Sequence, residues 1–170
     1  KAIKDAEKQV KLISYDPNLR KPLWRSEEDA KKAMLWGLEQ ADVVKISDDE
    51  VEFLFGLDPE KGLDYIFDKY QLKLLFVTCG ADGCLFKNAK ATGKLPAMNG
   101  IKVIDTTGAG DIFGGSALYK VLASGKNPEE LSEDELTEAV RFATIAAGLS
   151  TTKKGGISSI PSKEEVEKNL

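Results

Sequence analysis

The 170 residues include 24 Lys and Arg against 28 Asp and Glu, a formal charge of −4, and 42% of them are hydrophobic. Such a chain can bury one sizeable core, but it lacks a basic stripe that could track nucleic acid and an apolar run long enough for a membrane span or signal peptide. It also has no histidine, which removes the commonest general base, the Ser-His and Cys-His pairs and any His-ligated metal.

Residues 1–9 read as the end of a helix, and the run from Val10 to Asp16 as a buried strand closed by Pro17. A helix is expected after Ser26, where SEED supplies a cap and an acidic first turn. ADVVKI then reads as a strand, SDDEVEFLFG as a capped helix stopped by Gly56, DPEKGLDYIFDKY as another helix and LKLLFVTCG as an apolar strand. Alternation of this kind implies a mostly parallel sheet with right-handed crossovers. CLFKN and KATGKL suggest an antiparallel hairpin at the sheet edge, followed by an IKVID strand. Helices from Asp111 to Ala123 and from Ser132 to Thr151 come next, and a Gly-containing loop and a last short helix close the chain. Cys79 and Cys84 fit neither the CxxC redox spacing nor half of a zinc set, so they are expected as reduced structural thiols. The whole is one α/β unit. It opens inside an apparent helix without an initiator Met, as a piece of a larger domain would.

The chemistry concentrates in IKVIDTTGAGDIFGGS. Gly108 and Gly110 allow a sharp turn and close approach of the backbone to a ligand. Free N–H groups there, added to the positive end of the helix dipole, attract a phosphate. A carboxylate beside such a site would be repelled by that phosphate, so Asp111 needs a reason to be there. Either it accepts a proton from an attacking hydroxyl, or it caps the helix. A dinucleotide fingerprint is disfavoured because no strand follows the helix to supply the ribose-binding acid, and the Gly-Lys-Ser/Thr of a Walker A loop is missing.

DTTGAGDIFGGS resembles the DTxGAGDxFxxG signature of the ribokinase (PfkB) family of sugar kinases. By that resemblance Asp111 is the catalytic base, and the amides of Gly108, Ala109 and Gly110 form the anion hole for the transferred phosphoryl group. SYDPNLRKPLW is similar to the family's DPNxRxxLW element, which implies that Asn18 and Arg20 face the substrate; a strand end with a turn at Asn18 is the plainer reading. KISDDEVEFLFG resembles the NxxE element, so Glu50 would organise magnesium through water, with Ser47 in place of the usual Asn near the nucleotide. The same residues spell a capping box. VTCGADGCLF is similar to a TxGxxG element lining the nucleotide through Thr78, Gly80 and Gly83, and would otherwise be a plain hairpin turn. In the closing stretch Thr144 falls beside the adenine, and Gly155 and Ser159 with the backbone of Asp105 and Thr107 fall beside a monovalent cation.

The resemblance covers the chain but only about the second half of a family member, so the early strands, the lid and most sugar contacts would lie in an absent N-terminal half. It implies a ribokinase-like three-layer α/β sandwich and a cytoplasmic ATP- and Mg2+-dependent kinase, with K+ as a further cofactor. The substrate would be a sugar, with fructose favoured by the DPNLR and LW details. The full-length protein would be a homodimer without nucleic-acid or membrane partners. A 2-keto-3-deoxygluconate kinase and a nucleotide-binding fragment or regulatory relative without activity are the alternatives.

Overall fold

Three parallel strands, β1 (Ser14–Tyr15), β2 (Val43–Ser47) and β3 (Leu74–Thr78), run side by side in the computed structural model, which describes residues 12–170. An antiparallel hairpin, β4 (Cys84–Asn88) and β5 (Thr92–Leu95), extends them, so the sheet order is β1-β2-β3-β4-β5. Two of the four pairings are parallel and two antiparallel, so a parallel part carries the expected antiparallel hairpin at its edge. The helix expected over residues 1–9 and the first two residues of the expected Val10–Asp16 strand lie outside the described residues.

Local signals set the helix boundaries. Helix α1 (Glu27–Leu38) is capped by the Ser26 hydroxyl, which accepts from the Asp29 amide. Helix α2 (Asp48–Phe55) starts on a full capping box between Ser47 and Glu50 and ends at Gly56 in a left-handed conformation. Helix α3 (Pro59–Tyr70) has Asp58 as its cap and Pro59 in its first turn. Helices α4 (Ala109–Ala123), α5 (Glu133–Ser150) and α6 (Lys163–Glu167) complete the chain. Between β5 and α4 the expected IKVID strand does not form. The amides of Ile104 and Asp105 both donate to the carbonyl of Thr151 at the end of α5, and Val103 and Ile104 are exposed. Their β-propensity is overridden because the last turn of a helix, rather than a strand, offers them an acceptor.

Side-chain alternation along the strands divides the core in two. Val43, Leu74, Phe76, Cys84 and Phe86 pack with Phe113, Ala117, Val121, Leu136, Val140 and Ala143 of α4 and α5. Val44, Ile46, Leu75, Val77 and Leu85 pack on the other face with Leu38, Val51, Leu63 and Ile66 of α1, α2 and α3. Helices therefore cover both faces, in three layers. Phe76 meets Phe113 edge to face at 5.9 Å, and burying each such side chain contributes roughly 1.5–3 kcal/mol. Cys84 and Cys79 fall in opposite clusters as free, buried thiols. Burial pushes the Cys79 thiol up to about 11, so it stays protonated and unreactive near neutral pH.

One buried polar residue joins the hairpin to the α-helical layer. Asn88 accepts from the amides of Lys90 and Ala91 at 2.9 and 2.8 Å and donates to the carbonyls of Pro128 and Leu131, both at 2.9 Å. Asn88→Ala would strand all four partners. A destabilisation of about 3 kcal/mol is expected, measured as a lower denaturant midpoint at unchanged slope. A shift below about 0.5 kcal/mol, the range of an ordinary surface substitution, would contradict this role.

Candidate active site

Parallel strands expose their carboxyl ends to ligands, and here Tyr15, Ser47 and Thr78 end β1, β2 and β3 side by side. Among the described residues, two clefts near this edge carry residues of the candidate site. The larger, about 670 Å³, is lined by Asn18, Arg20, Lys45, Ser47 and Glu50, with further acidic groups from Asp49 and Glu52. The smaller, about 220 Å³, lies between β1, β2 and the start of α4 and includes Asp16, Lys45 and Asp111. Lys45 borders both.

The turn into α4 is built on Gly108, whose φ of +80° puts it in the left-handed region. A Cβ there would stand 3.2 Å from the Cα of Gly156, so conformation and space both call for glycine. Helix α4 begins at Ala109 rather than near Asp111, with Gly108 as its N-cap and no side-chain cap. Asp111 is thus the third residue of the helix and does not cap it; its side chain is exposed at the mouth of the smaller cleft. Ile112 donates the first intrahelical bond, to the carbonyl of Gly108, and Ala109 donates to Thr106. Among the described residues the amides of Gly108, Gly110 and Asp111 have no acceptor, so these three form the open cradle. Ala109, expected in that set, spends its amide inside the turn.

Asp105 ties this turn to the loop that follows α5. Its carboxylate accepts from the amides of Thr107 and Gly155, each at 2.9 Å. A hydrogen bond from the Thr107 hydroxyl, then those from the two amides, hold the carboxyl down at about 2. Ser159 is buried and donates to the carbonyl of Gly156. The structure thereby brings Asp105, Thr107, Gly155 and Ser159 into one pair of adjoining loops.

Glu50 serves two elements at once. It is 5% exposed, and its two oxygens accept from the amides of Leu19 at 2.6 Å and Ser47 at 2.9 Å. The Ser47 bond closes the capping box; the Leu19 bond fastens the Asn18–Arg20 loop over the larger cleft. Sequence spacing announced the first and could not announce the second. Arg20 is exposed and donates to the carbonyl of Leu19, and Asn18 has a φ of +47°, a conformation Asn tolerates better than most side chains.

Thr78 donates to the carbonyl of Ile46 at 3.4 Å. Gly80 and Gly83 shape the turn to β4 with positive φ, and a Cβ on Gly83 would strike the backbone of Leu95 and Pro96. No residue of that turn lines either of the two clefts. Thr144 stands within α5 with its hydroxyl oxygen buried and without a hydrogen-bond partner among the described residues.

Sequence reading missed Lys45 and Asp16. The Lys45 ammonium lies 3.2 Å from one Asp16 oxygen and 3.4 Å from the other, with side chains 11% and 29% exposed respectively. Burial raises the Asp16 carboxyl above the usual range; Lys45 opposes that rise, while Glu50 and Asp111 add to it. A lysine in the middle of the apolar VVKIS strand was the available signal.

The family model for pfkB family carbohydrate kinases matches residues 1–163. The chain is 39% identical over 169 residues to fructokinase-1 of Zea mays, covering 98% of this chain and 51% of that protein. It is 41% identical over 170 residues to fructokinase-2 of Solanum lycopersicum, covering 97% and 50%. A double-mutant fructokinase of Vibrio cholerae, solved with fructose, ADP and potassium ion, matches with a TM-score of 0.85 and 31% identity over 98% of this chain and 53% of that one. The chain therefore spans about half the length of the curated relatives it matches. No described helix is long and apolar enough to cross a membrane.

Two glycines of the turn into α4 and of the helix itself should respond oppositely to alanine. Gly108→Ala forces a side chain into the left-handed region and against Gly156, and should cost about 1–2 kcal/mol. Gly114, within α4, has nothing within 4 Å of a new Cβ, so Gly114→Ala should be neutral or stabilising by up to about 1 kcal/mol. Denaturant titration of the two variants checks this; equal effects would contradict the account of the turn.

Proposed function

The chain belongs to the pfkB family of carbohydrate kinases, and from that premise we propose that it is the nucleotide-binding and catalytic part of an ATP-dependent sugar kinase, with fructose the favoured acceptor. The observation that carries this reading is Asp111. It is an exposed carboxylate on the first turn of α4, uncommitted to capping, beside amides that have no internal acceptor. The relatives described as fructokinases support the choice of sugar.

In the proposed reaction the sugar hydroxyl oxygen bonds to the γ-phosphorus of ATP while the bond from that phosphorus to the β–γ bridging oxygen breaks. The hydroxyl proton passes to the Asp111 carboxylate, and the bond's electron pair leaves with ADP. The amides of Gly108, Gly110 and Asp111, with the positive end of the α4 dipole, hold the charge that spreads over the moving group. Asn18 and Arg20, on the loop fastened by Glu50, face the substrate side of the larger cleft. Ser47, Thr78, Gly80, Gly83, Gly110 and Thr144 form the proposed nucleotide side.

Among the described residues no group of three His, Cys, Asp or Glu side chains converges on an ion site. Mg2+ keeps several waters and is commonly held by one or two carboxylates and substrate phosphates. Asp49, Glu50 and Glu52 supply hard oxygen donors along the larger cleft, and Glu50, its oxygens already accepting two amides, would act through water. Held there, Mg2+ would supply positive charge to offset that of the nucleotide phosphates. The proposed K+ neighbours are the backbone of Asp105 and Thr107, with Gly155 and Ser159. The full-length enzyme is proposed to be a cytoplasmic homodimer.

In the full-length protein Asp111→Asn should lower kcat for fructose phosphorylation by a factor on the order of 10²–10⁴, with KM for ATP little changed. A steady-state assay coupled to ADP release measures both. A kcat near that of the wild type would remove Asp111 from the mechanism.

A further inference from the structure

We infer that Lys45 is a second catalytic residue of this transfer, its ammonium contacting the phosphoryl group held at the cradle. The inference rests on the kinase reading above and adds a cation to it.

Three observations converge on Lys45. It sits on β2 on the same face as Val43, the face covered by α4 and α5, so its side chain runs beneath the start of α4. Among the described residues it is also the only lysine or arginine lining the smaller cleft, which it shares with Asp16 and Asp111, and it borders the larger cleft with Arg20 and Glu50. Finally, its Nζ lies 3.0 Å from where a Cβ on Gly110 would stand. Gly110 does not have the positive φ that obliges glycine at position 108. The missing side chain at 110 instead leaves room for the ammonium to reach the cradle.

Electrostatics gives the cation its purpose. Asp16, Glu50 and Asp111 bring three carboxylates to this edge, and a bound phosphate would add like charge to all of them. Asp16 is an incomplete partner for Lys45, since one of its oxygens also accepts from the Asn18 amide at 3.2 Å. An ammonium has three donors, so Lys45 can keep Asp16 and still donate to a phosphoryl oxygen. In a site partly screened from water such a donor acts more strongly than in bulk solvent. Lys45 forms no covalent bond and keeps its protons; Asp111 remains the proton acceptor.

The competing explanation is that Lys45 only balances the charge of Asp16. The test uses the full-length protein with ATP–Mg and fructose, comparing wild type, Lys45→Met, Lys45→Arg and the double variant Asp16→Asn/Lys45→Met. Lys45→Met should lower kcat by about 10²–10³, the effect of losing one transition-state donor, and Lys45→Arg should recover part of it. The double variant removes both charges, an exchange that buried ion pairs often tolerate, and its thermal midpoint reports folding. It should stay as slow as Lys45→Met. Recovery of the wild-type rate by the double variant, or an unchanged kcat in Lys45→Met, overturns the role of Lys45 alone. Absence of any sugar-dependent ADP release in the wild type overturns the kinase reading and this inference together.

Discussion

A single left-handed residue governs the geometry of the site. Gly108 turns the chain into α4 with a φ of +80°, which directs the first amides of the helix outward and sets Asp111 on its first turn. A residue with a Cβ would be strained there and would press on Gly156. The conformation is held from outside by Asp105, whose carboxylate joins the amides of Thr107 and Gly155. The turn at Gly108 and the loop after α5 are in effect one structure. That explains why a fully ionised aspartate, depressed to about 2, is spent on backbone amides.

The second constraint is charge. The edge of the sheet gathers Asp16, Glu50 and Asp111, and each carboxylate has a different obligation. Glu50 is consumed by the Leu19 and Ser47 amides. Asp16 pairs with Lys45 and is raised chiefly by burial. Asp111 alone of the three is exposed, and it is the one to which the proposed reaction gives the proton. Differences in environment among neighbouring carboxylates are how one fold assigns separate roles to the same functional group. In this arrangement Lys45 sits where the structural carboxylate and the proposed catalytic one face each other.

Much of this was legible in the sequence because it is local. The Ser47–Glu50 capping box, the stop at Gly56, the β4–β5 hairpin and the boundaries of α1, α2 and α3 follow from residues a few positions apart. DTTGAGD marked the turn at Gly108 for the same reason. What stayed hidden was long-range. Nothing near Val103 and Ile104 reveals that their segment meets the end of α5 instead of a strand. Nothing in NxxE-like spacing reveals that Glu50 also holds Leu19, 31 residues away. Lys45 left one trace, a charge inside an apolar strand, and its proximity to Gly110 depends on two elements packed across the core.

The most direct measurement of the central claim is a crystal structure of the full-length protein with fructose, ADP and Mg2+. The account predicts a carboxylate oxygen of Asp111 within roughly 2.6–3.2 Å of one sugar hydroxyl, the reach a general base needs, with the amides of Gly108 and Gly110 facing the space between that hydroxyl and ADP. A sugar bound with its hydroxyls far from Asp111, or nucleotide phosphates remote from the start of α4, would contradict it.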